Sequence, residues 1–209
     1  MRRAALEKVR EDPRGTAARI LDAAEEVFAE QGYGAASTRE MARRADIPFG
    51  ALHYHWGSKK QLWEAVFKRL GDRTRDTIMR TLRPGNTVRE LTDNLIDAFM
   101  DLLIERPNTT RLAYRMCLEH RDLHLKSVRD MFSELSRFGI GLVRDRVPDA
   151  QIDVPAAIFV MSSAFMGALV DVDAQEDLLG ASVYSSQRAR ERLRAELKRL
   201  ARFAFNVPE

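Results

Sequence analysis

Apolar residues recur along this chain at intervals of three and four, and that spacing constrains the fold more than any other feature. Ile20, Ala24, Val27 and Phe28 make one stripe, Leu62, Val66 and Leu70 a second, and Val88, Leu91, Leu95, Phe99 and Leu102 a third. Such intervals gather side chains on one face of a helix and scatter them over both faces of a strand. No run of alternating β-branched residues competes with them. Eleven glycines and seven prolines punctuate the stripes rather than fill them. The chain is expected to be all-α, with about nine helices.

Composition narrows the class. With 209 residues, 45% hydrophobic and 31% charged, the chain reads as globular, one domain or two small ones sharing a core. The longest weakly polar stretch, Ala156 to Val170, is 15 residues long and bracketed by Asp153 and Asp171, so no membrane span is expected. The opening MRRAALEKVRED has no apolar run, which argues against a secretory signal. A single cysteine, Cys117, rules out an intramolecular disulfide, and a reducing cytoplasmic setting is expected. Net charge is only +3, so any basic surface must be local. There is no nucleophile motif, phosphate-cradling glycine loop or placed carboxylate pair, so neither an enzyme nor a cofactor is expected.

Punctuation sets the helix boundaries. The first helix should stop at Gly32-Tyr33-Gly34, with two short helices following at about residues 38–45 and 49–55. Ser37…Glu40, Ser58…Gln61 and Thr87…Glu90 have capping-box spacing, which places helix starts near Thr38, Lys59 and Val88. The fourth helix has Gly71 as a candidate kink and Pro84-Gly85 beyond its end. Pro107 precedes a sixth helix and Pro148 closes a seventh, which carries Val128, Phe132, Leu135 and Leu142. An eighth, from about Asp153 to Asp171, is apolar almost all round and is expected to be buried on several sides. Asp173 to Ser182 reads as a loop or frayed end. The last helix, about Ser185 to Phe205, has Leu193, Leu197, Leu200 and Ala204 on one face and many arginines on the other.

The most specific stretch is Ser37 to Lys59. A helix of barely two turns buries Met41, Ala42 and Ala45. It must stop at Asp46, a residue that tolerates the left-handed conformation. Ile47 plugs the corner, Pro48 bars continuation, and Phe49 to His55 form a second short helix. Two short helices around a tight apolar corner make a helix-turn-helix, whose second member can enter a major groove.

Residues 14 to 62 resemble the DNA-binding domain of TetR-family (tetracycline-repressor-like) transcriptional regulators. The matching run is STREMARRADIPFGALHYHWGSKKQL, preceded by ILDAAEEVFAEQGYGAAS. Agreement falls at Thr38, Met41-Ala42, Ala45, Ile47, Gly50, Leu52, Ser58, Lys59 and Leu62. Asp46, His53 and Trp56 stand where the family's wording has Gly, Tyr and Phe. The resemblance implies a basic tail over 1–13, a DNA-binding domain over 14–60 and a ligand-binding and dimerisation domain over 61–209. It also implies a homodimer whose last two helices pack into an intersubunit bundle; Ser162, Ser163, Ala164, Gly167 and Ala168 would allow the close approach. Alternatively both helices close the monomer's own core. The function it implies is a ligand-responsive regulator, most often a repressor, released from a palindromic operator by a small molecule. A helical binding or interaction module that no longer reads DNA is the alternative.

Candidate site residues follow from position. Thr38, Arg39, Phe49, Gly50, Ala51, His53, Tyr54, His55 and Lys59 are assigned to double-stranded DNA. Lys59 would hold a phosphate at the start of the fourth helix, Arg39 would read guanine, and Phe49 and Ala51 would touch thymine methyls. The bland reading packs Phe49 inward on Trp56. Arg43 and Arg44 are taken as surface residues, and Arg2, Arg3, Lys8 and Arg10 as a tail or a minor-groove arm. Phe99, Met100, Met116, Phe132, Met161, Phe165 and Met166 could line an apolar effector cavity or be plain core. Arg111 and Arg115, one turn apart, could receive an effector carboxylate or be solvated. Cys117, His120 and His124 have ligand-like spacing. Arg121-Asp122 reads as a helix junction and no fourth ligand stands out, so no metal is assigned.

Overall fold

The computed structural model describes residues 15–123, 126–146, 152–205 and 207, all helical or connecting, with no strand among them. Among the described residues ten helices follow in order: α1 (Thr16–Ala35), α2 (Thr38–Arg44), α3 (Phe49–Trp56), α4 (Lys59–Thr81), α5 (Val88–Glu105), α6 (Pro107–Leu123), α7 (Lys126–Arg146), α8 (Val154–Val170), α9 (Val172–Leu179) and α10 (Gln187–Ala204). They form two compact units. One comprises the described residues up to Leu70 with those from Arg111 to Arg129. The other comprises Gly71–Thr110 with the described residues from Asp130 onward.

In the first unit, α1 breaks at Gly32, whose φ of 72° is open to glycine at little cost, as the Gly-Tyr-Gly turn predicts. Ile20, Ala24, Val27 and Phe28 are buried with Met41 and Ala42 of α2, Leu52 and Trp56 of α3, and Leu62, Trp63, Val66 and Phe67 of α4. The Trp63 ring meets Phe28 at 4.6 Å and Phe67 at 4.4 Å, both edge-on, geometry that suits the ring quadrupoles. Arg69 reaches from α4 to Asp22, Glu25 and the Leu21 carbonyl of α1. α4 runs on through Gly71 as one helix. α6 likewise continues through Arg121 and Asp122, so no junction falls there.

Capping is uneven. Thr87 and Glu90 form the full reciprocal box. Ser58 makes half of one, accepting from the Gln61 amide at 3.2 Å. Ser37 makes none, and the Glu40 carboxylate, the other half of that box, is held by Arg43 and Arg44 instead.

In the second unit, Ile96, Met100 and Leu103 of α5 pack with Met161, Phe165 and Leu169 of α8 and Ala189, Leu197 and Ala201 of α10. α10 aligns Arg194, Lys198 and Arg202 with Asp97, Asp101 and Asp93 of α5. Of the predicted inner face of α10, Leu197 is buried and Leu193 and Ala204 pack against the core, whereas Leu200 is exposed; Ala189 and Ala201 complete the stripe. The predicted loop from Asp173 is α9: Asp171 caps its start by accepting from the Ala174 amide, and Gly180 at φ 83° ends it. Gln175 of α9 is buried, donating to the Ala168 carbonyl and accepting from the Val183 amide and the Ser182 hydroxyl. α8 and α9 meet at an 85° bend. No single helix among the described residues is long and apolar enough to cross a membrane. Within the chain α8 is buried on one side only; Phe159 and Val160 are 73% and 58% exposed.

Candidate nucleic-acid interface

The α2–α3 corner is built as the sequence demands. Asp46 adopts φ 52°, the one positive φ outside glycine among the described residues. Its amide donates to the Arg43 carbonyl and that of Ile47 to the Ala42 carbonyl, closing α2. Pro48 then sits at the N-cap of α3. The inner sides of α2 and α3 are fixed by Met41, Ala42, Leu52 and Trp56, and this turns the intervening residues outward.

Phe49 faces out, 41% exposed, and lies edge-on to His53 with ring centroids 4.8 Å apart, so it is not turned inward. The Arg39 guanidinium carbon lies 5.7 Å from the centre of the Phe49 ring. Gly50 is exposed, and a Cβ built there would meet nothing within 4 Å. Ala51 and His55 are half-buried, Tyr54 is 80% exposed, and Thr38 opens α2 half-buried. His53 Nδ1 is 2.8 Å from the Gly57 carbonyl. A carbonyl only accepts, so Nδ1 carries the proton and Nε2 is the edge left for other contacts.

Electrostatics separates the cations of this region. Arg44 forks onto Glu30 at 2.8 and 2.6 Å and touches Glu40 at 2.9 Å. Arg43 takes the rest of Glu40, and the two guanidiniums hold that carboxyl down to about 2. Lys59 donates to the Gly34 carbonyl at 3.1 Å and lies 4.7 Å from the centre of the Tyr33 ring. Partial burial pushes its ammonium pKa below the usual lysine range. Lys59 therefore ties the exit of α1 to the start of α4, a task that its sequence position does not announce. Two of three ammonium protons remain for a phosphate.

The other predicted site residues divide. Met100, Met161 and Phe165 share the second unit's core; Phe99 packs against it with its ring 6.2 Å from that of Phe165, and Met166 is half-buried on α8. Arg115 donates through Nε and Nη2 to the Ala29 and Glu30 carbonyls at the end of α1, both at 2.9 Å. It and the exposed Arg111 belong to the first unit, the Phe–Met cluster to the second. The side chains of Met116, Phe132, Cys117 and His120, all of His124, and the tail over 1–13 lie outside the described residues. Among described residues no three His, Cys, Asp or Glu converge on a metal position. In the sequence Arg39 and Phe49 stand as separate candidates, with no sign of their contact. Ten residues apart across a corner, they carry no periodic signal.

Residues 20–66 match the family model described as bacterial regulatory proteins, tetR family. Among curated relatives, the HTH-type transcriptional activator FasR of Mycolicibacterium smegmatis is 32% identical over 105 residues, 50% of this chain and 47% of that protein. The HTH-type transcriptional repressor Rv3405c of Mycobacterium tuberculosis is 46% identical over 55 residues, 26% of this chain and 29% of that one. The chain thus spans about half of the first relative's length and less of the second's. The transcriptional regulator FadR from Bacillus subtilis, solved with stearoyl-CoA, superposes with a TM-score of 0.68 over 88% of this chain and 96% of that one; at 17% identity the likeness is one of fold.

Proposed function

We propose that this chain, whose residues 20–66 match the tetR family of bacterial regulatory proteins, is a dimeric, ligand-released transcriptional repressor acting at a palindromic operator. One observation carries this reading: the α2–α3 corner turns Arg39, Phe49, Gly50 and Tyr54 outward together on a rigid apolar base. α3 then enters the major groove. Thr38, Arg39, Phe49, Gly50, Ala51, His53, Tyr54, His55 and Lys59 make the base and phosphate contacts. A two-fold site calls for a two-fold protein. The exposed Phe159 and Val160 of α8 and Leu200 and Phe203 of α10 are the surface on which a second copy packs. The effector is apolar and enters the cluster of Phe99, Met100, Met161, Phe165 and Met166 in the second unit. Binding better to the conformer with more widely spaced reading heads, it weakens operator affinity by that difference. The stearoyl-CoA of the Bacillus subtilis neighbour makes long-chain acyl-CoA the first ligand to try.

The test is a titration of the whole chain against its own promoter region at two salt concentrations, with and without acyl-CoA. Specific binding that falls steeply with salt is expected, with release by ligand supporting ligand control and a reporter that rises on ligand addition supporting repression. Binding to no DNA at either salt would leave the non-reading helical module as the function.

A further inference from the structure

We propose that Arg39 and Phe49 act as one coupled reader of two neighbouring base pairs, a guanine taken by the guanidinium and a thymine whose methyl group meets the ring. The inference rests on the DNA-binding reading above and names what that site recognises. Of the three arginines on α2, Arg43 and Arg44 are neutralised by Glu40 and Glu30. Arg39 has no acceptor among the described residues and lies instead over an aromatic ring. Stacking of this kind orients the guanidinium plane without using its N–H groups. All five donors stay available for the paired O6 and N7 acceptors of guanine.

The ring is itself held. His53 meets it edge-on, and His53 is anchored through Nδ1–H to the Gly57 carbonyl. A line of contacts therefore runs from the end of α3 to Arg39. His53 in this scheme is a positioning residue. Beside the ring, the open space over Gly50 removes any obstacle to the groove floor. The 5.7 Å between guanidinium and ring centre is shorter than two base-pair rises of ~3.4 Å, which puts adjacent pairs within reach of both groups.

The experiment selects bound duplexes from a random pool with the full chain. It then replaces each thymine with uracil, and each guanine with 7-deazaguanine, one at a time. For the unaltered chain, one symmetric thymine pair should lose about 4-fold in affinity without its methyl group. The adjacent guanine should lose about 10-fold without N7. Phe49→Leu keeps an apolar contact but removes the π face: the uracil penalty should persist while the deazaguanine penalty falls to about 3-fold. Phe49→Ala should abolish the first and reduce the second; Arg39→Ala should abolish only the second. Thermal unfolding of each variant confirms that the exposed position left the fold intact. An unchanged deazaguanine penalty in Phe49→Leu overturns the coupling, as do sensitive positions more than one step apart. Selection of no sequence at all would instead overturn the DNA-binding reading, and this inference with it.

Discussion

Two patches of exposed apolar side chains lie in different units of this chain, and their neighbours differ. On the α2–α3 face, Phe49 and Tyr54 stand as separate points beside Arg39, whose charge no described carboxylate neutralises. On α8, Phe159 and Val160 are flanked by the exposed Ser163, Ala164 and Gly167, with open space over Gly167. On α10, Leu200 and Phe203 lie near Arg199, which is paired with Glu196. Isolated apolar points among free cations suit a polyanion that carries methyl groups. A row of small residues beside large rings, with charges already paired, suits the ridges of another helix. Exposed hydrophobicity alone names no partner; the surrounding charge and bulk do.

The largest effect that would sharpen this contrast comes from charging the second patch. Phe159→Glu with Phe203→Glu should halve the mass seen by sedimentation while leaving helicity intact. Operator affinity should fall about 100-fold, because two linked half-site contacts become one. Unchanged mass would break the assignment of that patch.

A smaller effect is expected at Lys59. Lys59→Ala should weaken operator and random DNA alike, make the salt dependence shallower by about one phosphate, and lower folding stability by about 1 kcal/mol through the lost Gly34 and Tyr33 contacts. Fluorescence anisotropy across salt and urea unfolding separate the two roles. Lower stability with an unchanged salt slope would confine Lys59 to joining α1 and α4. The smallest change is Asp46→Gly. Relief of left-handed strain, about 1 kcal/mol, should outweigh the added freedom of the unfolded chain by about 0.5 kcal/mol in urea unfolding. A loss of stability would mean that the aspartate side chain itself holds the corner.

Local chemistry was legible in the sequence where one residue decides one conformation. Gly32 had to break α1, Asp46 had to turn left-handed, and the Thr87–Glu90 box had both partners within reach. Competition hid the rest. Glu40 is spaced to cap α2, yet two arginines on the same helix outbid the backbone for it. The polar DVDAQEDLLG stretch reads as loop on composition, yet Asp171 and Gly180 cap it into α9. α8 reads as buried all round because its own sequence cannot say which neighbour covers which side. Arg115 reads as a surface cation, because its acceptors on α1 are 85 and 86 residues away. The Phe49–Arg39 contact also joins residues with no shared periodicity.

The Gln175 amide has a consequence of direction. Its nitrogen end faces the Ala168 carbonyl and its oxygen end faces the Val183 amide and the Ser182 hydroxyl, so the pocket needs one donor and one acceptor in a fixed order. Glutamate offers acceptors only and would set a carboxylate oxygen against a carbonyl. Lysine offers donors only, and leucine would leave the Ala168 carbonyl and the buried Val183 amide without this partner. The polarity of a single side chain therefore connects the end of α8, the middle of α9 and the lead-in to α10. A chain that changed this residue would have to rebuild all three segments together.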